Sequence, residues 1–195
     1  MQQPARLALA AAALSLIAAG CGLSTKDAAS GDAGAPDRVV GSVVTAPPGS
    51  CHYRGALPDP ACTPGEADSR VAPDTIKATI CAPGWSKAAR PPTSVTGPIK
   101  AERIRAYATP LPAKSVALDH LLPIELGGAT STANLWPQNY RGLFNAHDKD
   151  RLEDYLHQAV CSGKMPLRAA QEAIATNWVK AYCDAKLGEC PSNTQ

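Results

Sequence analysis

Apolar positions in the last third of the chain recur at helical spacing. Leu152, Tyr155, Leu156, Ala159 and Val160 fall on one face, while Asp148, Asp150, Glu153 and Asp154 cover the rest, which predicts an amphipathic helix. Cys161-Ser162-Gly163 should end it, because glycine takes the left-handed cap conformation without penalty. Pro166 then opens a second predicted helix, Leu167–Ala185, with Ala170, Ala173, Ile174, Trp178 and Tyr182 as its apolar stripe. Trp178 reads as core on this pattern. Upstream the rhythm changes. Val116-Ala117-Leu118 and Leu121-Leu122 are short apolar runs of strand type, interrupted by Asp119-His120. Pro123 cannot donate to a sheet ladder, so the run must end or bulge there, and Gly127-Gly128 supplies a sharp turn.

Residues 51–115 carry many prolines and little periodicity. Leu57–Gly65 reads as turns and extended backbone, and Pro73–Ile80 as a short helix with proline in its first turn. Cys81–Trp85 should turn and Arg90-Pro91-Pro92 should extend. Thr96 as cap and Pro98 in the first turn predict a helix over Ile99–Ala108 bearing Lys100, Arg103 and Arg105. These cations suit either a solvated face or a wall that contacts phosphate.

The first twenty residues follow other rules. Arg6 precedes Leu7–Ala19, an unbroken run of small and apolar residues with the length of a signal peptide. Ile17-Ala18-Ala19-Gly20-Cys21 resembles a bacterial lipobox, although Ala18 stands where leucine is usual. The resemblance implies acylation of Cys21, with simple cleavage and full release as the alternative. Gly22–Ser50 is rich in Gly, Ala, Ser, Asp and Pro and has too little apolar content to offset its ordering entropy. It is expected to be a flexible tether, with a short strand at Val39–Thr45 pairing with the domain as the alternative.

The chain has seven cysteines, and setting Cys21 aside leaves Cys51, Cys62, Cys81, Cys161, Cys183 and Cys190. Export makes these disulfide candidates. Spacing does not choose a pairing, beyond the closeness of Cys183 to Cys190. No C-x-x-C occurs, which weighs against a zinc ribbon. The formal charge of +2 falls to +1 once Arg6 is removed, which is too low for a protein held to nucleic acid by many phosphate contacts. Basic residues are nevertheless dense from Lys77 to Lys114, with Glu102 inside that stretch and Asp74 at its edge. A local basic wall is compatible with that distribution.

The chemistry concentrates in Leu118-Asp119-His120-Leu121-Leu122-Pro123-Ile124-Glu125-Leu126-Gly127-Gly128, followed by Asn134-Leu135-Trp136. On an extended backbone Asp119 and His120 point to opposite faces, so one could hold a metal while the other reaches a water. The D-H-x-x-P-x-x-x-G-G pattern with its spaced Asn-Leu resembles the HNH (ββα-metal) endonuclease motif over roughly residues 115–160. The resemblance implies His120 as general base, Asp119 as metal ligand, and Asn134 as the asparagine that ties down the inter-strand loop. It implies a third ligand at the start of the following helix, for which His147 and Asn145 are the candidates. Phe144-Asn145-Ala146-His147 lacks the cysteine that often stands there. Imidazole is the better transition-ion ligand and favours His147. Glu125 could support a site histidine, and Arg141 and Lys149 could meet a phosphate. His52 and His157 read as surface residues.

These readings give an α+β fold with a small ββα-metal core, additional helices and a proline-rich, disulfide-tied N-terminal arm. Residues 1–20 form the signal, 21–50 the lipid-anchored linker, and 51–190 the domain. The expected activity is metal-dependent hydrolysis of DNA outside the cytoplasm, with RNA as an alternative substrate. Mg²⁺ or Mn²⁺ would serve as cofactor, and Zn²⁺ or Ni²⁺ could substitute if an imidazole is a ligand. The protein is expected to be a monomer held to a membrane by its lipid, facing the periplasm or cell exterior. The competing class is a non-enzymatic exported binding or envelope lipoprotein on the same scaffold.

Overall fold

Two antiparallel strands and four helices make up the α+β fold seen in a computed structural model, which describes residues 43–192. The readings placed on Arg6, Leu7–Ala19 and Cys21 lie outside the described residues. The order is α1 (Trp85–Ala89), α2 (Thr93–Ala106), β1 (Val116–His120), β2 (Leu135–Asn139), α3 (Ala146–Cys161) and α4 (Leu167–Asp184), with short 3-10 turns at Ala113–Ser115 and Ile124–Leu126.

The β1 and β2 strands pair with Asp119 opposite Trp136 and His120 opposite Leu135. Pro137 sits inside β2, which a two-stranded sheet tolerates because each strand has an edge free of ladder bonds. Between the strands the chain folds tightly on itself. Gly127 has φ of 78°, and a Cβ on Gly128 would lie 1.6 Å from the Leu122 carbonyl oxygen, so neither position admits a side chain.

Helices α3 and α4 pack together over the principal core. Leu152, Leu156 and Val160 of α3 meet Ala170, Ile174, Trp178 and Tyr182 of α4, together with Leu122 and Leu126 from the inter-strand loop. The Trp178 indole N–H donates to the Ala56 carbonyl at 2.9 Å, which fixes the arm against this core. Asn145 caps α3 reciprocally with Asp148, and the helix closes as expected at Gly163 (φ 74°). There Gly163 N–H reaches Val160 and Lys164 N–H reaches Ala159, the paired bonds of a Schellman cap.

Three segments depart from the sequence expectation. Pro73–Ile80 is a series of turns rather than a helix. The Thr75 hydroxyl bonds to the Arg70 and Ala72 carbonyls and the Thr79 hydroxyl to the Thr75 carbonyl, and these side-chain bonds compete with a helix too short to propagate. Helix α2 begins at Thr93, so Pro98 lies inside it, and Ala108 with φ of 44° stops it short. The folded part also starts before Cys51. Val44 N–H bonds to Thr132, Ala46 N–H to Glu102 and Gly49 N–H to the Arg105 carbonyl, so the last residues of the expected tether belong to the domain.

Disulfides join Cys51 to Cys62, Cys81 to Cys161, and Cys183 to Cys190. Three such bonds fit an oxidising, extracytoplasmic environment. Cys81–Cys161 ties the arm to the C-terminal end of α3. Among the described residues no helix is long and apolar enough to cross a membrane.

Candidate metal and acid–base site

The end of β1 and the first turns of α3 deliver a dense set of ionisable groups. Lys149 follows the apolar face of α3, three residues before Leu152 and seven before Leu156, and its side chain is fully buried. An ammonium in that position needs anions around it. Asp119 Oδ1 lies 2.7 Å from Lys149 Nζ and Glu153 Oε1 2.5 Å from it, and the ammonium also donates to the His120 carbonyl at 2.6 Å. The two carboxylates hold the Lys149 ammonium well above its ordinary range despite burial.

One cation serves two buried acids, and the acids show the imbalance. Burial raises the Asp119 carboxyl, and Lys149 offsets this only in part. Glu153 is pushed up to about 7, first by burial and then by the nearby Asp119 charge, against the pull of Lys149. Asp150, one residue past Lys149, completes a trio. Carboxylate oxygens of Asp119, Asp150 and Glu153 all lie within 4.8 Å of one another. Such an all-oxygen donor set could hold a metal ion.

His120 lines the same cleft as Asp119, Asp150, Glu153 and Arg90. Its Nε2 is 3.0 Å from the buried Thr130 hydroxyl. Burial, then the positive charges of Lys149 and Arg90, pull the imidazole down to about 3, so it is neutral at physiological pH. If Nε2–H donates to Thr130, the Nδ1 lone pair is left to accept a proton. Asn134 is fully buried and clamps the loop below. Its carbonyl accepts from Leu122 N–H at 2.8 Å, and its amide donates to the Leu122 and Ala129 carbonyls at 2.8 and 2.9 Å.

The structure brings Asp119 together with Asp150 and Glu153, uses Asn145 as the helix cap, and leaves His147 at the edge of the trio beside Asp150. The Asn145 carbonyl oxygen accepts from His147 N–H at 2.8 Å and Asp148 N–H at 3.4 Å as helix cap, and its amide donates to Gly142. The His147 side chain is 68% exposed, stacks on Tyr140, and approaches Asp150 at 3.6 Å. Lys149, expected to face a phosphate, has its ammonium enclosed by Asp119, Glu153 and the His120 carbonyl. Glu125 lines the cleft without a hydrogen bond to His120, whose partner is Thr130. Arg141 is exposed beside a separate cleft next to β2. Arg103 of the supposed basic wall is buried and paired with Glu102 at 2.5 Å. His157 is half-buried and bonds to the Ile80 carbonyl at 2.8 Å. It lies beside Cys81 and Cys161, whose sulfurs are engaged with each other as a disulfide.

The solvated face of α3 expected from the sequence holds for Asp150, which is 60% exposed, and not for Glu153, which is half-buried. The signal that locates Glu153 is Lys149 itself, a buried cation in register with Leu152 and Leu156 that needs acids beside it. Comparison with known proteins supplies no relative: no family model matches the chain, and no curated protein and no solved structure matches it.

Proposed function

We propose that this protein is a metal-dependent endonuclease of the HNH type, exported from the cell and acting on DNA. The convergence of Asp119, Asp150 and Glu153 beside His120 is the observation that carries this reading. The chain order supports it, because Asp119 and His120 come from β1, Asn134 from the loop before β2, and Asp150 and Glu153 from the helix after it. In this reading, the carboxylates of Asp150 and Glu153 take the place that the motif resemblance gave to His147 or Asn145.

A divalent ion held by the three carboxylates would stabilise charge on the phosphoryl and leaving oxygens. The residues do the remainder. His120, held by Thr130, is the group placed to take the proton of the attacking water, a role that requires the bound phosphate to raise its ring from about 3 toward neutrality. Arg90 at the cleft rim attracts the phosphate. Lys149 holds Asp119 and Glu153 in place and lessens their mutual repulsion. Asn134 fixes the loop from which Thr130 reaches His120. Cys21 is the attachment point for a lipid, which would leave the domain at a membrane surface facing the periplasm or exterior.

Disulfide-intact protein incubated with supercoiled plasmid tests the reading. Nicking is expected with Mg²⁺ or Mn²⁺ and none with chelator, and His120→Ala should lower the rate about 10²- to 10⁴-fold. The Lys149 ammonium inside the acid cluster favours a second reading, a non-enzymatic exported protein whose ion network is purely structural. Absence of cleavage of both DNA and RNA with Mg²⁺, Mn²⁺, Zn²⁺ and Ni²⁺ would establish that alternative over the nuclease.

A further inference from the structure

Gln138 on β2 is 3% exposed, and neither its amide nitrogen nor its carbonyl oxygen has a hydrogen-bond partner among the described residues. Leaving a buried carboxamide unpaired is costly, and native structures rarely do so without a ligand or water to complete it. The side chain lines a cleft of about 310 Å³ between β2 and the arm. The register explains its direction: Gln138 faces Ala117 as Trp136 faces Asp119, two residues apart on one face of the sheet.

The surroundings narrow what would complete it. Tyr53 and Trp136 wall the cleft with ring centroids 6.0 Å apart, and Phe144 adds a third aromatic surface. The Tyr53 hydroxyl is already engaged, with Thr109 at 2.7 Å and the Pro137 carbonyl at 2.9 Å, so its ring offers only an apolar face. Exposed Arg141 stands at the mouth, and an adjoining depression adds Lys114. The cleft therefore combines aromatic residues, the enclosed donor and acceptor of Gln138 just beneath its floor, and cations at the rim.

We infer that this cleft is a nucleobase-binding pocket, in which the Gln138 carboxamide reads a hydrogen-bonding edge of one unstacked base and Arg141 meets its phosphate. A carboxamide pairs in bidentate fashion with the adjacent donor and acceptor of a base such as adenine. Aromatic side chains hold single-stranded bases by their π faces. A peptide group would also satisfy the carboxamide, but it would leave the aromatic walls and the rim cations without complementary chemistry. The pocket deepens the nuclease reading by placing a base-holding subsite two cross-strand pairs along the sheet from Asp119, and its occupancy is read without metal or cleavage.

The experiment uses ¹⁵N-labelled, disulfide-intact protein in the presence of chelator. Adenosine, cytidine, guanosine and thymidine 5′-monophosphates are titrated separately, with deoxyribose 5-phosphate and N-acetylglycine N-methylamide as controls. The Gln138 side-chain amide and the Trp136 indole N–H resonances are followed. At least one nucleotide should shift both resonances, and neither control should. Gln138→Leu should weaken that nucleotide roughly 5- to 150-fold, the range of a good bidentate contact, while leaving the rest of the spectrum in place. Equal shifts by deoxyribose phosphate, equal shifts by the peptide amide, no shift by any nucleotide at millimolar concentration, or unchanged binding by Gln138→Leu would each overturn the pocket. Plasmid nicking without nucleotide binding would remove this inference alone. Nucleotide binding without cleavage would remove the nuclease reading alone.

Discussion

Lys149 Nζ lies 2.7 Å from Asp119 Oδ1, with the lysine side chain wholly buried and the aspartate nearly so. A helix residue thereby neutralises a strand residue at the point where sheet and helix meet. Lys149→Met keeps the length and the apolar stem but abandons two carboxylates in the core. Loss of about 3–5 kcal/mol is expected in urea unfolding, the range for breaking one side of a buried ion pair. Adding Mg²⁺ should raise the melting temperature of the variant more than that of the parent, because the orphaned acids then have another cation to hold.

Acidity acts on the same cluster in two directions. The Glu153 carboxyl is raised to about 7, so between its ordinary value and 7 the folded state binds more protons than the unfolded one. Its stabilising contribution is present at acid pH and is lost as pH rises through 7. His120 has the opposite sign. Its folded value of about 3 is far below the ordinary one, so its contribution is present above about 6.5 and is lost as pH falls toward 3. Metal affinity should therefore climb as pH rises through 7, when Glu153 loses its proton. Isothermal titration with Mn²⁺ at several pH values checks this, and Glu153→Gln should flatten the dependence.

The three disulfides close loops of very different size. Cys81 and Cys161 are 80 residues apart, and Cys183 and Cys190 only 7. In the chain-entropy account their removal should cost about 4.5 and about 2.4 kcal/mol respectively. Denaturation of the Cys81→Ala/Cys161→Ala and Cys183→Ala/Cys190→Ala proteins ranks the two. The same cost for both would show that loop closure is not what these bonds contribute.

Helices α3 and α4 were legible because their apolar residues repeat at 3.6 and their ends carry recognisable caps, such as the glycine at Gly163. The Gly127-Gly128 turn was legible for a similarly local reason. Pro73–Ile80 misled because proline at a helix start is a weak signal beside two threonines able to bond their own backbone. The five-residue α1 left no periodicity to find. At the site, Asp119, His120 and Asn134 could be singled out because they lie in one short motif. Asp150 and Glu153 could not, since amphipathic counting assigns charged positions to solvent. The half-burial of Glu153 follows from Lys149, whose contacts with Asp119 and the His120 carbonyl place a lysine in the seam, while Asp150 stays exposed. Thr130 and Gln138 carry no sequence signal of their own. Each matters because of what it faces.

Asn134 has a consequence for motion. The Leu122 amide hydrogen is held by the Asn134 side chain, and the same carboxamide grips Leu122 and Ala129 by their carbonyls. In most hairpins the connecting segment breathes faster than the strands it joins. Here the amide of Leu122 cannot meet solvent unless a contact buried beside β2 breaks first, so the connection and the ladder should open as one event. Hydrogen exchange at Leu122 then reports the lifetime of the whole strand pair, and the segment that carries Thr130 to His120 keeps time with the sheet.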